Sequence, residues 1–72
     1  MNTIEKIISL MKEKKINDAV LCRECGLNHS AVTEWKKGKA KPSAEAVAKI
    51  ARYFSVSTDY LLGLTDDKTV YY

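Results

Sequence analysis

Apolar residues recur along this chain at three- and four-residue spacing, and a repeated capping signal divides that rhythm into helices. Ile4, Ile7, Ile8 and Met11 fall at helical intervals with Leu10 beside them, while Glu5, Lys6, Lys12 and Glu13 take the other side. This predicts an amphipathic helix from about Thr3 to Lys15, with lysines near its end that suit the helix dipole. Three later starts share one grammar. Ile16-Asn17, Leu27-Asn28 and Val56-Ser57 each set an apolar residue before a capping Asn or Ser. The fourth residue of each helix is apolar in turn: Leu21, Val32 and Leu61. That is the pattern of a hydrophobic staple closing over a helix N-terminus. Pro42-Ser43 opens a further helix, with Ser43 as cap and Ala46, Val47, Ile50, Ala51 and Phe54 as its inner face.

The expected elements are five helices, at roughly 3–15, 18–25, 29–37, 44–54 and 58–63. No segment alternates at period two long enough to make a strand, so the fold class is all-α, a compact five-helix bundle. Residues 1–64 read as one domain without repeat, low-complexity stretch or linker. The tail, 65–72, has few core anchors and is expected to fray or to dock through Val70, Tyr71 and Tyr72.

Seventy-two residues bury one modest core. A chain of that size is marginally stable alone, which makes a homodimer a reasonable expectation. The apolar candidates for its interface are Tyr60, Leu61 and Leu64 of the last helix, with Val70, Tyr71 and Tyr72 of the tail. A composition of 46% hydrophobic and 29% charged residues excludes a disordered or fibrous chain. No stretch approaches a membrane span and the start carries no signal-peptide cleavage pattern, so the cytoplasm is the expected location.

The formal net charge is +3, and its distribution says more than its size. Through Trp35, Lys6, Lys12, Lys14, Lys15 and Arg23 are balanced by Glu5, Glu13, Asp18, Glu24 and Glu34. The excess lies beyond, with Lys36, Lys37, Lys39 and Lys41 packed into a single short stretch. Such a cluster in a near-neutral chain either meets a polyanion or is simply a solvated loop. It directly follows the residues Asp18 to Lys37, which read as two short helices with a sharp turn at Gly26. Glycine there permits the left-handed backbone that ends one helix and reverses the chain. Leu21, Leu27 and Val32 face inward and fix the angle between the two helices. Asn28, His29, Ser30, Thr33 and Glu34 are left outside, polar and mostly short, as a surface approaching base edges requires.

Asn17 to Phe54 and the following VSTDYLLG resemble the Cro/C1-type helix-turn-helix family, also called the XRE family. Its members are mostly phage and bacterial transcriptional repressors. The matching pieces are LCRECGL with Gly26, then VTEWKKGKAKPS, then AVAKIARYFSVSTDYLLG, an ending frequent in short prophage-type repressors of Gram-positive bacteria. The resemblance implies a lambda-repressor-like DNA-binding bundle whose second and third helices form the helix-turn-helix.

Carried over by position, the family's base readers are the first two residues of the third helix and one a turn and a half later. These are His29, Ser30 and Glu34, with Thr33 as neighbour. Many members place glutamines there, and this chain has none. Glutamine pairs with adenine in a bidentate way, whereas glutamate only accepts, for example from cytosine N4. Glu34 is alternatively a solvated acid beside Lys36 or Lys37. Phosphate contacts are expected from the helix starts at Asn17 and Asn28 and from Lys37, Lys39 and Lys41. Where the family commonly has a phosphate-binding glutamine at the start of the second helix, this chain has Asp18.

Trp35 shares a face with Val32 and is expected in the core or half-buried, with its indole N–H able to reach a phosphate from the rim. Cys22 and Cys25 form a C-x-x-C, yet a single histidine and no second cysteine pair leave a zinc site without ligands. Core packing is the expected role, and a redox-sensing one the alternative. One histidine, no glycine-rich phosphate loop and no paired-carboxylate cleft argue against an enzyme, and no cofactor or small-molecule ligand is implied. The functional expectation is a double-stranded-DNA-binding transcriptional repressor, a homodimer on an inverted repeat. Its rival is a protein-interaction module on the same fold, such as an antitoxin or an anti-repressor partner.

Overall fold

The computed structural model describes residues 2–68, and within them the chain forms five helices and no strand. These are α1 (Thr3–Lys14), α2 (Asp18–Cys25), α3 (Ala31–Lys36), α4 (Ala44–Phe54) and α5 (Thr58–Leu62). The all-α expectation holds, with α3 shorter than the spacing predicts. The core gathers Ile7, Leu10 and Met11 from α1, Leu21, Cys22 and Cys25 from α2, and Val32 and Trp35 from α3. Ala46, Val47, Ile50, Ala51 and Phe54 of α4 complete it with Val56 and Leu61. Helix α4 lies centrally against α2 and α5, while α1 packs on α5 and α2 on α3. Ile7, Leu21, Val32, Ile50 and Leu61 are fully enclosed. Each such side chain contributes about 1.5–3 kcal/mol relative to exposure.

The predicted caps hold at three starts. The Asn17 side chain accepts from the Val20 N–H at 2.9 Å, Ser43 from Ala46 at 3.1 Å and Ser57 from Tyr60 at 2.9 Å. Asn2 does the same for α1, accepting from Glu5 at 2.8 Å.

Three helix junctions turn out to be one three-residue joint: Lys15-Ile16-Asn17, Gly26-Leu27-Asn28 and Ser55-Val56-Ser57. The first residue is left-handed, with φ of 57°, 65° and 56° respectively. The second sends its N–H back to a carbonyl of the previous helix: Ile16 to Met11 at 3.1 Å, Leu27 to Cys22 at 2.8 Å, Val56 to Ala51 at 3.0 Å. Its side chain meanwhile packs on the core. The third residue caps the next helix or turn. One apolar residue thereby closes the end of one helix and staples the start of its successor.

Two placements differ from the sequence reading. Lys6, assigned to the outer face of α1, is only 7% exposed. Its Nζ donates to the Tyr60 carbonyl at 2.9 Å and lies 4.8 Å from the centre of the Tyr60 ring. A long apolar stem lets a lysine run along the core while its head finds a carbonyl near the end of α5. Leu61, a candidate for a dimer surface, is 0% exposed and belongs to the core. Leu62 and Leu64 are the outward leucines, and Tyr60 is half-buried. The tail turns back after Leu64. Ser57 donates its N–H to the Lys68 carbonyl at 3.0 Å and its hydroxyl to the Asp67 carbonyl at 3.2 Å. Val70, Tyr71 and Tyr72 lie outside the described residues.

Candidate nucleic-acid interface

The α2–turn–α3 unit is built from the second of those joints. Gly26 ends α2, Leu27 is half-buried against the core, and Asn28 starts the turn that leads into α3. The expected helix start at His29 moves two residues on, to Ala31. Asn28 still caps, but locally: its Oδ1 accepts from both the N–H (3.1 Å) and the hydroxyl (3.0 Å) of Ser30. The Ala31 N–H reaches the Asn28 carbonyl at 3.0 Å, so the first turn is wound more tightly than an α-helix. His29 and Ser30 therefore stand on this tight turn, with Thr33 and Glu34 on the helix proper. His29, Thr33 and Glu34 are exposed and Ser30 is half-buried. Beneath them Val32 and Trp35 are buried and hold the exposed row outward.

At the far end of α3 the joint changes in one decisive residue. Gly38, with φ of 76°, takes the left-handed position, and the Lys39 N–H returns to the Glu34 carbonyl at 3.0 Å. The residue after the left-handed position is now a lysine rather than an Ile, Leu or Val. The inward anchor passes to the next residue, half-buried Ala40, and Lys37, Lys39 and Lys41 are displayed on an exposed loop. Among the described residues none of these three lysines, nor Glu34, has an ion-pair partner; the bridges present are Arg23–Glu24, Lys36–Asp18, Lys49–Glu45 and Lys68–Glu13.

The Asp18–Lys36 bridge is the residue pair the sequence reading misses. Lys36 Nζ lies 3.1 Å from both carboxylate oxygens of Asp18, joining the start of α2 to the end of α3. Residues 18 positions apart leave no periodic signal, and only the fold brings them together. It sets a cation against the acid that follows the cap Asn17.

Cys22 and Cys25 are free and buried, as core packing requires. Burial raises the Cys25 thiol above its ordinary value, and the nearby Cys22 and Glu24 push it further the same way. A thiol so placed stays protonated and is a poor nucleophile at neutral pH. No group of three or more His, Cys, Asp or Glu able to hold a metal occurs among the described residues. Among the same residues no helix is long and apolar enough to cross a membrane.

A family model described as Helix-turn-helix matches residues 7–61, from the middle of α1 to α5. The chain belongs to the Helix-turn-helix family. Its Helix-turn-helix relatives include an uncharacterized transcriptional regulator, YobD, of Bacillus subtilis, 32% identical over 88% of this chain. The transcriptional activator BcrR of Enterococcus faecalis is 31% identical over 81%, and the repressor protein C2 of Salmonella phage P22 is 29% identical over 81%. The chain spans 56%, 28% and 27% of the length of these three relatives. The first two are named as a regulator and an activator of transcription, and the third as a repressor.

The fold agrees. The solution structure of the P22 C2 repressor DNA-binding domain superposes with a TM-score of 0.75 at 27% identity, over 86% of this chain and 82% of that one. A crystal structure of the same repressor in complex with a synthetic operator gives 0.75 and 27%, over 86% of this chain and 94% of that one.

Proposed function

We propose that this chain is a sequence-specific double-stranded-DNA-binding transcriptional regulator, a cytoplasmic repressor that acts as a homodimer on an inverted repeat. The observation that carries the reading is the composite edge of α3. An exposed polar row (His29, Thr33, Glu34) stands over a buried base, and beyond it are three lysines without an ion-pair partner among the described residues. The row supports base reading by His29, Ser30, Thr33 and Glu34, and the lysines with Asn17 and Asn28 support phosphate contact. The kinship with a repressor crystallised with a synthetic operator adds to this.

In this reading each protomer sets the turn before α3 and its first residues into a major groove, with half-sites about 10 bp apart or a multiple of that. The dimer draws on Leu62 and Leu64, exposed at 49% and 73%, with Tyr60 at the edge. A protein-interaction role rests on the acids Asp18 and Glu34 and on the lack of glutamines, and Lys36 removes Asp18 from that list.

Gel shift against the DNA upstream of the protein's own gene tests the proposal. Binding is expected at low salt, and a dimer covering roughly 6–10 phosphates loses on the order of 10³–10⁵ in affinity between 50 and 200 mM salt. Absence of a shift at low salt, with tight capture of another protein instead, rejects it.

A further inference from the structure

The Asp18–Lys36 bridge joins two parts of the proposed phosphate-facing edge, and its placement carries a consequence for binding strength. Asp18 is the first residue of α2, next to the cap Asn17, and Lys36 is the last residue of α3, next to Lys37. The two side chains are 33% and 42% exposed, so the pair lies at the surface between the two expected grips on the backbone. Both oxygens of Asp18 are engaged by the one ammonium group. Lys37, Lys39 and Lys41 in contrast keep their charge uncompensated among the described residues.

We propose that Asp18 acts as an intramolecular phosphate mimic that holds Lys36 away from DNA and so limits the affinity of the interface. This rests on the DNA-binding reading above and assigns two positioning residues within it. A carboxylate is the anion nearest in charge and hydrogen-bond geometry to a backbone phosphate, and a lysine satisfied by it releases no counterion on binding DNA. Removing the acid frees a cation already placed at the edge. Removing the lysine alone exposes an acid there without deleting a phosphate contact.

The test is a two-by-two set: wild type, Asp18→Asn, Lys36→Gln and the double variant. Each is titrated with a fluorescent mixed-sequence DNA duplex at several salt concentrations between 50 and 200 mM. Thermal melting of each protein checks that the fold is kept, which the exposure of both side chains favours. Asp18→Asn is expected to steepen the salt dependence by about 0.9 per protomer, which at 0.1 M salt is about eightfold tighter binding per protomer. Lys36→Gln in the wild-type background is expected to leave the slope unchanged. The same change on top of Asp18→Asn is expected to abolish the gain.

If Lys36→Gln lowers the slope by about 0.9 with Asp18 in place, Lys36 already sits on phosphate and the proposal is overturned. An Asp18→Asn protein that binds with unaltered slope and affinity overturns it equally. Failure of the wild type to bind any duplex at low salt shows up separately, and it removes the DNA-binding reading together with this one.

Discussion

Lys6 donates to the carbonyl of Tyr60 at 2.9 Å while its ammonium group lies over the ring of the same residue at 4.8 Å. One side chain thus ties the first helix to the last, in the α1–α5 contact and apart from the α2–α3 unit. A charge-assisted hydrogen bond contributes about 1.5–3 kcal/mol and a desolvated cation–π contact up to about 2. The Tyr60 carbonyl also accepts from the Gly63 N–H at 3.2 Å, so it is not orphaned when the lysine goes. Lys6→Ala is expected to lower stability by about 2 kcal/mol in urea unfolding. Lys6→Met keeps the packed stem and should recover part of that loss. Equal losses for the two variants would show that the charge, and not the stem, is the whole contribution.

The repeated joint makes a second prediction, because two of its three left-handed residues are not glycine. Lys15 and Ser55 hold φ of 57° and 56°, a region that costs an L-residue about 1–2 kcal/mol. Glycine relieves that strain but adds unfolded-state entropy of about 0.5–1 kcal/mol. Ser55→Gly and Lys15→Gly are each expected to raise stability by about 0.5–1 kcal/mol, or a few degrees in Tm. Gly26→Ala should do the reverse, by about 0.5–1 kcal/mol once the entropy gain is set against the strain. A Cβ on Gly26 meets nothing within 4 Å, so the backbone alone accounts for the loss. Calorimetry on the three variants checks both signs.

The contrast between Gly26 and these two residues marks how far the sequence can be read. Caps and staples are local and chemically typed, so Asn17, Ser43 and Ser57 declare themselves, as does a turn glycine. A lysine or serine in the left-handed region carries no such label, since the strain is imposed by packing of the apolar residue after it. Lys6 escapes because periodicity sorts side chains by polarity and cannot see a long stem laid along the core. At Leu61 two expectations compete, burial as the staple partner of Val56 and exposure on a dimer surface, and the fold keeps the staple. The exposed row on α3 and the loop lysines are legible as residue types. The tight turn at Asn28 and the Asp18–Lys36 bridge depend on geometry that no spacing encodes.

Cys25 gives the chain an alkaline weakness. Its thiol is raised in the folded protein by burial, then by Cys22 and Glu24, above the ordinary value of 9.0 that the unfolded chain recovers. Below that value both states hold the proton and stability is unaffected. As pH rises past it the unfolded state loses its proton first, and stability falls until the folded thiol also ionises. The urea midpoint is therefore expected to drop above about pH 9, and to drop less steeply in Cys25→Ala. Thiol-modifying reagents should react slowly with the native protein at neutral pH and readily after unfolding. An unchanged alkaline decline in Cys25→Ala would assign the effect to other groups.

The sharpest test of the interface separates residues that grip from residues that read. Lys39 stands on the loop beyond α3 with no counter-charge among the described residues, and a phosphate contact carries no sequence information. Lys39→Ala is expected to weaken every DNA sequence alike and to reduce the salt slope by about 0.9 per protomer. Glu34 faces outward on α3 as an acceptor without a cation partner among the described residues. As a base reader it favours a cytosine N4 donor, and Glu34→Gln adds a donor that suits adenine. The variant is expected to bind slightly tighter everywhere, since one negative charge is gone. At one position of each half-site it should also exchange its preferred base, with discrimination of about 1–3 kcal/mol. Selection from a randomised duplex library measures both effects in one experiment. Uniform tightening with no exchanged base would make Glu34 a solvated acid, and would leave the reading of sequence to His29, Ser30 and Thr33.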